Sequence, residues 1–150
     1  MKSTLPRVIY CLAALSALLC ACAIGQPPHY LPDPALRAVV GQALGVANPT
    51  PLEMLALISL DASYKGVTDL TGLNYAINLQ DLNLQGNKIH ELDALADLVN
   101  LKYLNLRDNR IGDLRPLLSL HNLVELDIRG NLYPYPLSRQ KIVEFKIDSP

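Results

Sequence analysis

The amino-acid sequence predicts an α/β repeat fold, a short solenoid of about five parallel strands with a helical cap at its amino-terminal side. Leucine, isoleucine and asparagine recur every 22 residues from residue 57 onward, and two helix-start signals precede these repeats. The three cysteines, Cys11, Cys20 and Cys22, all lie within the first 22 of 150 residues. This distribution excludes a disulfide-stapled fold and a thiolate metal site in the rest of the chain.

The repeat is clearest in the copies that begin at Leu79, Leu101 and Leu123, which lie 22 residues apart. Each copy reads L-x-x-L-x-[LI]-x-x-N, and the first two continue with apolar residues at every third position. The first part predicts a short strand with alternate side chains pointing inward. The three-residue spacing predicts tight 3₁₀-like turns. One coil is too thin to bury its own leucines, so we expect each coil to pack against the next.

The same frame continues in degenerate form at both ends. A first coil has Lys65 at the asparagine position, and a last strand pattern follows a shortened connection that contains two prolines. The predicted strands are residues 57–62, 79–84, 101–106, 123–128 and 142–147.

One asparagine follows each clear strand: Asn87, Asn109 and Asn131. An amide at this point can turn inward and satisfy backbone groups of neighbouring coils that would otherwise be unpaired. We therefore interpret the three asparagines as a structural ladder, because side chains bonded to backbone are not available to a ligand.

Residues 31–56 lack the repeat and are predicted to form the cap. Asp33 followed by Pro34 is a typical helix start, and Gly45 is suited to end that helix. The predicted apolar face of the helix comprises Leu36, Val39, Val40, Ala43 and Leu44. Thr50 and Glu53 have the spacing of a capping box, which predicts a second short helix.

The repeat resembles the leucine-rich repeat, specifically the 22-residue class of bacterial internalin-like proteins. The pattern D-P-x-L-R-x-x-V that begins at Asp33, followed by S-L-D-A-S, resembles the helical cap of the same family. The resemblance covers residues 30–147 and implies a domain used for binding, with residues 57–150 forming the repeats and a terminal strand.

Residues 1–21 are predicted to be a signal peptide, with a basic start at Lys2 and Arg7 and an apolar run too short to span a bilayer. Leu19–Cys22 resembles the lipobox of bacterial lipoproteins. That resemblance implies acylation of Cys22, a tether of residues 22–30, and an envelope location, in the outer membrane if the host is diderm. Because Ala21 and Ala23 also fit an ordinary cleavage site, plain secretion remains an alternative.

The sequence contains no motif that predicts catalysis. None of its three histidines has a partner at metal-ligand spacing, and neither a phosphate loop nor a nucleophile elbow occurs. We therefore expect no enzyme activity and no cofactor. A formal charge of −1 gives no reason to expect nucleic-acid binding. An acidic group suggests a cation site, although a solvated surface is the favoured interpretation: Glu91, Asp93, Asp97 and Asp113.

The x positions of the strands are expected to point outward on the inner curve of the solenoid, here called the concave face. Tyr103 is the best candidate contact there, because tyrosine is enriched in interface hot spots. The predicted partner-binding residues are Asp81, Asn83, Lys102, Tyr103, Asn105, Arg107, Glu125, Asp127 and Arg129.

The predicted function is an exported, lipid-anchored, non-enzymatic protein-binding module. The alternatives are a structural envelope lipoprotein without a dedicated partner and a secreted leucine-rich repeat protein. The concave face projects an area on the order of 300 Å², whereas a standard interface uses ~800 Å² on each partner. A protein partner would therefore also contact the flanking loops, bind weakly, or engage many copies at a membrane with avidity.

Overall fold

The computed structural model describes residues 30–132 of the 150-residue chain. It contains two α-helices, α1 (Pro34–Leu44) and α2 (Pro51–Met54). They are followed by the strands β1 (Ser59–Asp61), β2 (Asp81–Asn83), β3 (Tyr103–Asn105) and β4 (Glu125–Asp127). Three 3₁₀ helices alternate with these strands: Leu73–Tyr75, Asp93–Leu95 and Arg115–Ser119. Short strands that alternate with tight helical turns confirm the predicted solenoid.

The strands form one parallel sheet in the order β1-β2-β3-β4. Each strand is displaced by one repeat from the last, so that Leu60, Leu82 and Leu104 lie side by side. The predicted fifth strand and the predicted signal peptide, with Cys22, lie outside the described residues.

The strands are shorter than the sequence predicted, three residues instead of six. Main-chain bonding between coils nevertheless continues past both strand ends. The N–H of Gln80 donates to the carbonyl of Ile58 at 2.8 Å, and the N–H of Leu84 donates to the carbonyl of Asn105 at 2.8 Å. Regular pairing ends early because each coil turns away, and two residues beyond Leu84 the chain is left-handed at Gly86, with φ of 69°.

The core of the described region consists of aliphatic side chains that repeat from coil to coil. Each of the repeat-defining leucines between Leu79 and Leu123 is almost completely buried. The 3₁₀ helices contribute further buried residues, including Leu73, Leu95 and Leu117. The low aromatic content follows from this architecture, because a thin coil has room for one aliphatic layer between neighbours.

Asn109 shows how neighbouring coils are joined below the sheet. Its side chain is only 5% exposed. The Nδ2 group donates to the carbonyls of Leu84, at 2.9 Å, and Leu106, at 3.0 Å. Its Oδ1 accepts the N–H of Ile89 at 3.2 Å. One amide therefore satisfies backbone groups of its own coil and of the preceding coil.

The same pattern occurs one repeat earlier and one repeat later. Asn87 donates to the carbonyls of Ala62 and Leu84 and accepts from the N–H of Val67. Asn131 donates to the carbonyls of Leu106 and Ile128, and its Oδ1 accepts the N–H of Ile111. Each asparagine thus ties its own coil to the coil before it.

A second series of asparagines, which the sequence analysis missed, joins the coils at the surface. Asn78, Asn100 and Asn122 are exposed and lie 22 residues apart. In each case Nδ2 donates at 2.8 Å to a main-chain carbonyl of the preceding coil, that of Leu55, Ile77 or Val99. The 22-residue spacing of these asparagines in the sequence could have predicted this series.

The cap has the helices that the sequence predicted. Leu36 and Val40 of α1 are buried, and Gly45 ends the helix with φ of 70°. The predicted apolar face was wrong at Ala43, which is exposed. Gly41 is buried instead, against the main chain of Val46 after the helix. Helix α2 has the predicted capping box, with Thr50 and Glu53 bonding reciprocally.

Asp33 has a second role that the sequence analysis did not anticipate. Its Oδ1 caps α1 by accepting the N–H of Leu36 at 3.0 Å. Its Oδ2 accepts from the first coil, from the N–H of Thr68 at 2.8 Å and the N–H of Asp69 at 3.1 Å. The first coil has Lys65 at the asparagine position, and Asp33 supplies a buried side-chain link between cap and coil.

Burial raises the pKa of Asp33, but hydrogen bonds from Thr68, Leu36 and Asp69 more than offset this effect. The pKa of the carboxyl in the folded chain therefore lies below its ordinary value of 3.8. A depressed carboxyl pKa means that the ionised group stabilises the fold. This stabilisation is complete above the ordinary pKa and is lost as the pH falls through the lower, folded pKa.

We expect Asp33→Asn to lower the free energy of unfolding by about 1–3 kcal/mol at pH 7, because an amide cannot accept all the N–H groups that the carboxylate accepts. The difference from the wild type should shrink as the pH falls below the ordinary carboxyl pKa and through the lower, folded pKa, because the wild-type carboxyl then becomes protonated. Urea unfolding followed by circular dichroism measures both effects. Asp97→Asn, at an exposed position, is the control. A difference that does not shrink on acidification would contradict this role.

Candidate functional site

The concave face consists of the solvent-facing side chains of β1 to β4, which the register of the sheet aligns in two rows. The first row is Ser59, Asp81, Tyr103 and Glu125. The second row is Asp61, Asn83, Asn105 and Asp127. The strand residues between the two rows are leucines whose side chains point inward and are buried. The polar rows therefore lie directly above the apolar core.

Tyr103 stands in the middle of the first row and is 46% exposed. Asp81 of β2 and Glu125 of β4 are its partners in register on either side. Within residues 30–132, neither of these two carboxylates forms an ion pair or a hydrogen bond through its side chain. A half-exposed aromatic ring thus lies between two negative charges that face solvent.

The second row is engaged in local structure. Each of its side chains accepts the N–H of the residue two positions later at the end of its strand. Asn83 accepts from Gln85 at 3.2 Å, and Asn105 accepts from Arg107 at 3.0 Å. Asp61 and Asp127 do the same. Asn83, Asn105 and Asp127 were predicted as partner contacts, and their turn-forming role was not predicted.

The basic residues of the predicted site lie at the margins of the face. Arg129 forms an ion pair with Asp127 at 2.6 Å. Hydrogen bonding from Arg129 is the main reason that the pKa of Asp127 is lowered, against a smaller opposing effect of burial. Arg107 pairs with its neighbour Asp108 at 3.2 Å, and Lys102 donates to Oε1 of Gln80 at 2.8 Å.

The two rows enclose an open depression of about 340 Å³. Its polar lining contains four carboxylates, together with Tyr103 and both asparagines of the second row, and it contains no lysine or arginine. The cations stand outside the depression, because Lys102 precedes β3 and Arg107 and Arg129 follow their strands.

The acidic group that suggested a cation site does not converge. Asp113 is paired with Arg115 at 2.6 Å, and hydrogen bonding from Arg115 lowers its pKa. Among residues 30–132, no three histidine, cysteine, aspartate or glutamate side chains are grouped so that they could hold a metal ion.

No helix within residues 30–132 is long and apolar enough to cross a bilayer.

The chain is similar to known proteins in sequence and in structure. Residues 99–133 match the family described as Leucine Rich repeats (2 copies). No curated protein matches the chain. Among solved structures, the chain is similar to an internalin, InlF, from Listeria monocytogenes str. 4b F2365, with 27% identity and a TM-score of 0.71. This match covers 77% of the present chain and 35% of InlF.

Two further internalins from Listeria monocytogenes are similar. Internalin C2 is 27% identical with a TM-score of 0.57, and the match covers 83% of this chain and 68% of that one. The functional domain of InlJ, which includes a cysteine ladder, is 26% identical with a TM-score of 0.66. That match covers 75% of this chain and 25% of InlJ. The chain thus spans about a third of the InlF structure and a quarter of the InlJ structure. Fold and comparisons together define a short leucine-rich repeat solenoid that is similar to the repeat domains of Listeria internalins.

Proposed function

We propose that the protein is an exported, lipid-anchored, non-enzymatic module that binds a protein partner through its concave face. The observation on which this proposal rests is Tyr103, which is half exposed at the centre of a sheet face that no other described element covers. Tyrosine in such a position supplies a large contact area and a hydroxyl, which is why it is frequent among residues that dominate binding energy.

The regularity of the face supports a role in recognition. Buried leucines and bonded asparagines fix the backbone of each strand, so the outward side chains are held in position before a partner arrives. A rigid surface loses little conformational entropy on binding. The small area of four short strands favours a partner that also contacts the strand-end turns, where Arg107 and Arg129 lie.

Lipid anchoring is proposed from the sequence at Leu19–Cys22, together with the basic start and short apolar run before it. With Cys22 acylated, the tether of residues 22–30 would reach roughly 30 Å at most, at ~3.3 Å per residue. The binding face would then work close to a membrane, where many anchored copies compensate for a small contact area through avidity. No cofactor or nucleic acid belongs to this proposal.

The double variant Tyr103→Ala/Arg107→Ala should capture a partner from a bacterial envelope extract at least about tenfold less efficiently than the wild type, since loss of one hot spot costs ~2 kcal/mol. Affinity capture with quantitative mass spectrometry measures this ratio. The matched control is Tyr75→Ala/Arg110→Ala, which removes an exposed tyrosine and an exposed arginine outside the strands. Equal capture by both double variants and the wild type would favour a structural envelope protein without a dedicated partner.

The mass of the mature amino terminus tests the anchor. We expect a diacyl or triacyl modification on Cys22, and loss of membrane association in Cys22→Ser, because the thiol is the acylation site in the lipobox interpretation. Intact mass spectrometry of the protein recovered from a bacterial host is the measurement, with Cys11→Ser as the control. An unmodified amino terminus after Cys22 would show plain secretion.

A further inference from the structure

The depression on the concave face has a charge that selects a type of partner. Its carboxylates come from all four strands: Asp61, Asp81, Glu125 and Asp127. Two of them are already engaged. Asp127 is paired with Arg129, and Asp61 accepts the N–H of Ser63, with Lys65 close enough to lower its pKa further. Asp81 and Glu125 are the two that form no ion pair and no side-chain hydrogen bond within residues 30–132.

The position of these two carboxylates relative to Tyr103 defines the geometry. All three residues lie in one row across the sheet, with Tyr103 between Asp81 and Glu125. Adjacent strands are ~4.8 Å apart, so the backbones of Asp81 and Glu125 each lie about one strand spacing from that of Tyr103. A flat ring with an acceptor on each side is complementary to a flat cation that has donors along both edges.

The arginine side chain has this shape and charge. Its planar guanidinium stacks on aromatic rings, and its five N–H groups bond carboxylates in a fixed fork geometry. A lysine ammonium is compact and has no planar surface to stack on the ring. The depression, at about 340 Å³, lies at the lower end of the range for ligand pockets and suits one side chain.

We propose that the depression binds an arginine side chain of the protein partner, with the guanidinium stacked on Tyr103 and hydrogen-bonded to Asp81 and Glu125. This inference rests on the proposed function, because it names the chemistry of the partner at the same face. The partner segment carries its arginine into an acidic depression, while its flanking residues contact the strand-end turns.

The test uses the full chain in detergent micelles and the probe N-acetyl-arginine amide. Backbone amide chemical shifts are followed by NMR during the titration. We expect saturable shifts confined to residues of β2, β3 and β4 around Tyr103, with a dissociation constant on the order of millimolar, typical of a single contact. N-acetyl-citrulline amide has nearly the same shape without the charge, and it should bind at least about tenfold more weakly. Added salt should weaken arginine binding.

Variants assign the two interactions separately. Tyr103→Phe retains the ring and should retain binding, whereas Tyr103→Ala should lose it. The double variant Asp81→Asn/Glu125→Gln keeps the side-chain shapes and should bind about tenfold more weakly. The matched control is Glu91→Gln/Asp97→Asn, which makes the same change in net charge at exposed positions outside the face. Amide spectra without probe confirm that each variant is folded.

Any of four results would overturn the inference: no saturable binding of the arginine probe, shifts that are not confined to the concave face, equal binding of the citrulline probe, or equal loss in the control variant. Its failure is distinguishable from failure of the proposed function. If Tyr103 is needed for partner capture but the arginine probe does not bind, the concave face still binds a partner and only the arginine assignment is wrong.

Discussion

The buried asparagine amide is the interaction on which the rest of this structure depends. Each coil is one aliphatic layer thick and leaves backbone groups without partners at the turn that follows its strand. An unpaired buried N–H or C=O costs about 1–3 kcal/mol, so removing the amide would be unfavourable at each turn that contains Asn87, Asn109 or Asn131. Asn109 supplies both the donors and the acceptor at one such turn. Because its partners belong to two coils, the same bonds also fix how one coil lies on the next.

This constraint separates the side chains that maintain the fold from those available to a partner. Inward-facing positions are occupied by leucine and isoleucine, and the buried turn position by asparagine. The second row of the concave face closes the turns at the strand ends. The side chains of the first row do not close these turns, and Asp81, Tyr103 and Glu125 lie side by side in that row. The proposed recognition site follows from this division.

The sequence predicted those features of the fold that depend on the spacing of residues within one repeat or one helix. The 22-residue period specified the parallel coils and the asparagine ladder, and two capping signals specified the helices, because each of these features is encoded by residues close together or one repeat apart. The second role of Asp33 was not predictable, since its carboxylate bonds Thr68 and Asp69, more than 30 residues away. Strand length was overestimated because residue pattern does not show where a coil turns out of the sheet. The acidic character of the depression was not predictable from the sequence. It depends on ion pairs such as Asp127–Arg129 and on the positions of the cations at the margins of the face, which are set by the fold.

Native-state hydrogen exchange of the Ile89 amide tests the central claim most directly. This N–H is buried and donates to Oδ1 of Asn109 rather than to a main-chain carbonyl. If the asparagine holds neighbouring coils together, the Ile89 amide exchanges only when the coils separate, as slowly as the amide of Leu84 within the sheet. Exchange of Ile89 at the rate of an exposed loop amide, while Leu84 stays protected, would show that the side-chain bond does not join the coils.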